Sequence, residues 1–409
     1  MNTNQLLKLG GVFAVLALLV LVFNASRQGN IIENKDAVGK NRVFKDFPVN
    51  HVSAFAVKTS DGELNLERGE SGWVVKERGG YSADIAKVGE FLTSIYDLGV
   101  VQTVPVGASK YGRVGLLSPE ENEPKEEGEE DATIATILSF SKGSDPVGEL
   151  WVGKEYQKTE TGQFGPMETT TGRYVKRGDS PEVFVVDEKF DNLEPNPADW
   201  LNSDFFKVVK VKSIERIPSE NAEEGWKLVR TDEKGDFTLE GAKEGEEIDS
   251  TKVSSMKNAF SSPSFEDVLI GDEAKAPNHV EFKVETFEGF KYSVKLSEKN
   301  DENEYLLALG SVEADLPKER TAVEGESDED KEAAEKEFQE QKTKWTEKLK
   351  LEKSLVGHVY KVRGFVADSI NKNRSELMKD PEEEEGGEAT SSNAPSIPGL
   401  EGMIPGVQN

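Results

Sequence analysis

Residues 72–98 read GWVVKERGGYSADIAKVGEFLTSIYDL, and two hydrophobic periods meet inside them. Gly72–Glu77 has the character of a strand, with Trp73 at its opening. From Tyr81 to Leu98 the period changes. Ile85, Val88, Leu92 and Ile95 recur at three and four residues, with Phe91 beside them, which is one face of an amphipathic helix. Ser82 is the expected N-cap, Asp84 a first-turn carboxylate that favours the helix dipole, and Gly99 the stop. A strand leading into a covering helix points to an α+β fold built on antiparallel sheet.

The pattern continues on both sides. Upstream, His51–Lys58 alternates, Gly62 sits in a turn and Glu63–Glu67 forms a further strand. Downstream, Val100–Val106 returns as a strand, and Tyr111–Glu120 is a turn-rich excursion. Pro119–Asp131 is a charged, low-complexity loop. Strands are expected at Thr133–Phe140, Gly148–Lys154, Gly172–Lys176 and Val183–Val186. Asp187–Asn202 reads as a helix interrupted by Pro195 and Pro197.

A second pass of the same order begins near Phe206. Lys207–Ile217 is a strand run, and Gly225-Trp226 opens a strand as Gly72-Trp73 does. A hairpin-like insertion around Lys234–Glu247 follows. Asp249–Phe260 is the next helix, with Val253, Met256 and Phe260 as its apolar face. Strands at His279–Glu285, Lys291–Ser297, Tyr305–Gly310 and His358–Arg363 lead to a last helix, Phe365–Met378. The expectation is two related units, residues 47–202 and 203–378, each a mostly antiparallel sheet with one or two covering helices. The second unit carries a charged insertion at 312–355, whose core Asp328–Leu351 should be helical. Its Phe338 and Trp345 are candidate partner contacts; a solvated helical excursion is the plainer alternative. Residues 379–409 form an acidic, then Pro/Gly-rich, tail of disordered composition.

Ahead of these units lies Leu6–Phe23, LLKLGGVFAVLALLVLVF, in which Lys8 is the single charge. As a helix it reaches roughly 27 Å, enough to span a hydrocarbon core. Leu6, Leu7, Val12, Phe13, Leu16, Leu18, Leu19, Leu21 and Phe23 are the lipid-facing candidates. Cleavage after Ala25 would place Phe23 where a small residue is wanted, so residues 1–25 read as an uncleaved signal anchor. Residues 26–46 are a polar stalk. The short N-terminal flank favours an N-in, C-out orientation, although Arg27, Lys35, Lys40 and Arg42 outweigh Lys8 in the positive-inside count.

Composition narrows the functions. The net charge of −28 disfavours nucleic acid and anionic surfaces, and the absence of cysteine removes thiol catalysis, thiolate metal sites and disulfides. His51, His279 and His358 share no ligand spacing, and strand-edge packing suits each of them. Neither a GxSxG elbow nor a phosphate-cradling GxxxxGK[ST] loop occurs; Gly39-Lys40 and Gly153-Lys154 are isolated pairs. Asn300–Glu304 lacks the spacing of a calcium loop and reads as a hairpin turn. No cofactor or metal is expected, and no small-molecule ligand is indicated. Trp73 and Trp226 are either core residues or a carbohydrate-stacking platform.

The motifs V-x-x-F-x-V at Val52–Val57, Gly72-Trp73, Y-x-A-D at Tyr81–Asp84, Y-G-x-x-G-L-x-x-P at Tyr111–Pro119 and V-F-V-V-D-x-x-F at Val183–Phe190 occur in this order. Together they resemble the bacterial domain of unknown function 4340 family, closely over Phe47–Asn202 and weakly over Phe206–Met378. The acidic inserts Pro119–Asp131 and Val312–Leu355 depart from that pattern. The resemblance implies an extracytoplasmic domain, often encoded beside ABC-transporter components of the gliding-motility type, and it implies no catalytic residues. The functional expectation is a non-enzymatic, single-pass inner-membrane protein with its C-terminal part in the periplasm. Its partners would be membrane lipid, through the anchor, and an inner-membrane protein such as an ABC permease. The alternative is an envelope-facing module that binds glycan or peptide.

Overall fold

The computed structural model describes residues 42–119, 134–162, 165–190, 193–275, 277–321 and 325–379. Leu6–Phe23, the acidic loop and the C-terminal tail lie wholly or almost wholly outside these residues. No helix among the described residues is long and apolar enough to cross a membrane.

Two antiparallel sheets with few helices make up the fold. The first contains β1 (Ala54–Lys58), β2 (Glu63–Gly69), β3 (Gly72–Val75) and β4 (Tyr81–Ser82), followed by helix α1 (Ile85–Asp97). Then come β5 (Val100–Val104), β6 (Thr136–Lys142), β7 (Asp145–Gly162), β8 (Gly165–Arg177) and β9 (Val183–Val186). Their order across the sheet is β4-β3-β2-β1-β6-β7-β8-β9-β5. In β1 the period-2 pattern buries Phe55 and Val57, and Phe55 lies opposite Leu66 and Phe140. Helix α1 presses Val88, Leu92 and Ile95 into the core. Three such side chains contribute roughly 5–9 kcal/mol before chain entropy is charged against them.

The start of α1 differs from expectation. Asp84, not Ser82, is the N-cap, and its carboxylate accepts from the backbone N–H groups of Ala86 and Lys87. Ile85 consequently sits at the first helical position, outside the buried face, and is 63% exposed.

Tyr111–Pro119 crosses the same sheet as a clasp. Gly115 takes a left-handed conformation, Leu116 is fully buried, and Leu117 bridges Ile134. Val114, Leu116, Ala135 and Val183 form a small separate core there. The clasp lies so close to β7 that a Cβ on Gly153 would stand 2.3 Å from the Val114 carbonyl oxygen. Gly153 therefore answers to packing, and its neighbour Lys154 makes no phosphate loop with it.

The second sheet contains β10 (Val211–Pro218), β11 (Trp226–Val229) and β12 (Thr238–Leu239), then the one-turn helix α2 (Ser250–Val253). It continues with β13 (Asp267–Leu269), β14 (Val280–Thr286), β15 (Phe290–Leu296), β16 (Glu304–Ala314), helix α3 (Asp328–Ser354) and β17 (Val359–Arg363). Its order is β12-β11-β10-β14-β15-β16-β17-β13. Here β10 pairs with β14 as β1 pairs with β6, and β13 closes on β17 as β5 closes on β9. One strand fewer precedes the helix. The counterpart of β11 is therefore β2, so Trp226 and Trp73 do not occupy matching strands, and aligning the two Gly-Trp pairs is off by one strand.

Both sheets are closed by the same backbone exchange. Asp84 N–H donates to Trp200 O and Asn202 N–H to Ser82 O, at 2.9 and 2.8 Å. Asp249 N–H donates to Leu377 O and Lys379 N–H to Glu247 O, both at 2.9 Å. Asp249 caps α2 as Asp84 caps α1. The closing segments are short 3-10 turns, Pro197–Trp200 and Arg374–Leu377, each preceded by an asparagine, Asn196 or Asn373.

Three expected helices are corrected. Among its described residues Asp187–Asn202 holds only the Pro197–Trp200 turn, because prolines remove donors and clash within a helix. Asp249–Phe260 is one α-turn followed by 3-10 turns; its Ser254-Ser255 pair propagates a helix poorly, and Phe260 has a positive φ of 54°. Phe365–Met378 is two 3-10 turns, with Asn373 starting a new one through its bond to Glu376. The insertion also begins later than residue 312, because β16 runs to Ala314 and buries Val312.

Candidate interaction surfaces

Trp73 and Trp226 are both buried, at 6% and 3% exposure. Trp73 stands 5.7 Å from the Phe55 ring, in a cluster that also contains Phe91, Phe140 and Trp200. Trp226 faces Phe282, and its indole N–H donates to Lys372 O at 2.8 Å. Neither offers an open ring face, so the stacking platform is lost and the core reading stands.

Helix α3 is capped by Ser327, whose hydroxyl accepts from Asp330 N–H, with three acidic residues in the first turn. Trp345 and Leu349 pack against the protein's own core rather than standing free for a partner. Phe338 is half-buried and meets Trp345 edge-on at 6.4 Å. The Trp345 indole N–H is buried without a hydrogen-bond partner.

One turn further on, α3 is pinned by a buried polar network that no sequence motif announces. Glu352 is 1% exposed. Its carboxylate accepts from Lys207 N–H at 2.8 Å and from the Tyr292 hydroxyl at 3.0 Å. The Lys348 ammonium donates to Glu352, to Tyr292 Oη at 2.6 Å and to Lys207 O at 2.7 Å. It also lies 4.5 Å over the Phe290 ring. Burial pushes the Lys348 pKa down, with Glu352 pulling it back up. Burial, with the Glu352 charge adding to it, pushes the Tyr292 hydroxyl far up. These groups hold an insertion onto its sheet and present no open nucleophile.

Other polar side chains serve the same kind of purpose. Arg374 grips Glu246 through two hydrogen bonds, and the arginine holds that carboxyl near 2, so the clasp is ionised at neutral pH. Tyr305 donates to Asp368 at 2.8 Å, and burial raises its hydroxyl to about 12. Among the described residues, no group of three or more His, Asp or Glu side chains could hold a metal ion. His51 is exposed, outside any packed edge, His279 lies 3.5 Å from Glu298, and His358 packs edge-on to Tyr81.

The sheets meet where the β3–β4 end of the first touches the β13–β17 end of the second. Arg78 makes a two-pronged pair with Asp267, at 2.7 Å for each bond. Tyr81 sits against Phe265, His358 and Tyr360, and Phe205 packs on Phe265 and Tyr360. Through Asp267 this contact ties β13 to the first sheet. Of the other sheet edges, β4 and β12 are two-residue stubs. That leaves β5, five residues long, with Val101 61% exposed. The signal for it was present in the sequence, because Leu98–Ser109 carries no charge in a chain that is 31% charged. Natural edges are usually blunted by charge, and this one is not. Beside it, Arg42 bridges Gly99 and donates to Asp97 at 2.6 Å.

No curated protein and no solved structure matches the chain. The family model described as a domain of unknown function (DUF4340) matches residues 73–283, just over half of the chain, from β3 in the first sheet to β14 in the second. The chain belongs to the DUF4340 family.

Proposed function

We propose that this protein is a non-enzymatic, membrane-anchored periplasmic protein that docks a partner, as an accessory or scaffold subunit of an ABC-type transport or cell-envelope complex. The observation that carries this reading is the use made of the buried polar groups. Glu352, Lys348, Tyr292 and Tyr305 are spent on bonds that hold elements together, whereas a catalytic site aims such groups at an open cleft. The apolar stretch Leu6–Phe23 supports anchoring, and the strongly acidic surface suits a basic or neutral partner face. The glycan-binding alternative has lost its two stacking rings to the core.

The test is purification of the full chain from native membranes in mild detergent. A membrane permease is expected to co-purify in fixed proportion. It should be lost when Leu6–Phe23 is replaced by a cleavable leader. Recovery of no membrane protein above the background of an unrelated anchored control overturns the reading.

A further inference from the structure

We propose that the arm formed by the outer ends of β7 and β8 is a self-association surface, occupied by the same arm of a second copy paired antiparallel through β7. In the first sheet β6 accompanies β7 no further than Val152, opposite Thr136, and β9 accompanies β8 no further than Arg173, opposite Val186. Residues 155–162 of β7 and 165–172 of β8 go on pairing with each other, from Tyr156 opposite Gly172 to Gly162 opposite Gly165. Among the described residues no third strand joins them. The arm extends roughly 25 Å past the body of the sheet. A two-stranded ribbon is marginal in water and gains from a third strand. Thr159, Thr161, Thr169, Thr170 and Thr171 favour extended backbone without adding charge.

The two edges of the arm differ. On β8, Pro166 supplies no backbone donor, and the register slips opposite Tyr156 and Gln157, leaving Thr171 as an extra residue; both features blunt an edge. Between residues 155 and 162, β7 carries neither. Charge then sets the register. Residue 158 is lysine and residue 160 glutamate. A two-fold axis at position 159 sets position 158 of each copy opposite position 160 of the other, so unlike charges meet twice. Centring the pair on 158 or on 160 sets like charges face to face instead. That self-complementary order selects a second copy over an unrelated strand. Antiparallel overlap also keeps the two bodies at opposite ends of the shared arm. So short a pairing buries less than the roughly 1,200 Å² of a stable interface, and the dimer is a transient one. It does not depend on the chain being anchored in a membrane.

Because the chain has no cysteine, single cysteines report without background thiols. Glu155→Cys, Gln157→Cys, Thr159→Cys and Thr161→Cys are made in the full chain, purified in mild detergent, concentrated and mildly oxidised. Covalent dimer is read on non-reducing gels. Thr159→Cys should give at least about fivefold more dimer than the others, because only position 159 meets itself within disulfide reach. Gln157→Cys mixed with Thr161→Cys should cross-link as a mixed dimer. In the Thr159→Cys chain, Lys158→Glu should cut the yield about fivefold or more, and adding Glu160→Lys should restore it. Thermal melts matching the parent's show that each variant is folded. Equal yields at all four positions, a maximum elsewhere, no dimer at all, or no rescue by the second charge change would each overturn the proposal. Loss of permease co-purification leaves these yields unchanged, so the two readings fail separately.

Discussion

Replacing Glu352 by alanine is expected to destabilise the second sheet by about 3–5 kcal/mol, the usual cost of breaking a buried ion pair from one side. The substitution strands the Lys348 ammonium in a half-buried site, and it removes the acceptor for Lys207 N–H and the Tyr292 hydroxyl. Glu352→Gln should cost less, because an amide oxygen still accepts from Lys207 N–H. Hydrogen exchange across α3 and β15 measures the effect locally. Exchange of the two elements should accelerate together by two or more orders of magnitude in Glu352→Ala. Unchanged exchange in β15 would show that α3 is not a structural part of that sheet.

That anchor also shows what the sequence could and could not say about the insertion. The helix expected over Asp328–Leu351 was legible because its Glu, Lys, Gln and Ala favour helix, and it runs on to Ser354. Its attachment was not legible. Trp345 and Leu349 are too few for a sustained seam, and Lys348 and Glu352 look like one more surface i,i+4 pair. Only the fold brings Tyr292 and Lys207, far away in sequence, beneath them.

The sheets divide in the same way. β1, β14 and β15 have one buried face, so their alternation reports both element and orientation. The outer half of the β7–β8 hairpin, beyond Lys154, was missed because its sequence is largely polar and carries no apolar alternation. The three corrected helices failed where prolines, serine pairs and asparagines compete with helical hydrogen bonding. Matching Gly72-Trp73 to Gly225-Trp226 failed for another reason. A shared dipeptide is weaker than strand order as a guide to equivalence, and the real correspondence lies in two backbone exchanges with almost no sequence signature.

Trp226→Ala is the second large effect. Removing a buried indole leaves a cavity and deprives Lys372 O of its donor, at a cost of about 3–5 kcal/mol. For a unit of this size the melting temperature should fall by roughly 10 °C. Trp226→Phe keeps most of the packing against Phe282 and should recover over half of that loss. Thermal melts of the three proteins make the comparison. If Trp226→Ala melts like the parent and instead loses affinity for a glycan or peptide, the ring is a binding surface and its assignment to the core is wrong.

The proposed function places the two sheets outside the cytoplasm and holds the chain in the membrane through the apolar stretch Leu6–Phe23. The most direct measurement is labelling of a single cysteine, placed at exposed Ser60, with a membrane-impermeant maleimide in intact spheroplasts. The account predicts full labelling without permeabilisation, on a protein of full length that remains in the membrane fraction. Labelling only after lysis, or recovery of a shortened soluble chain, would contradict it.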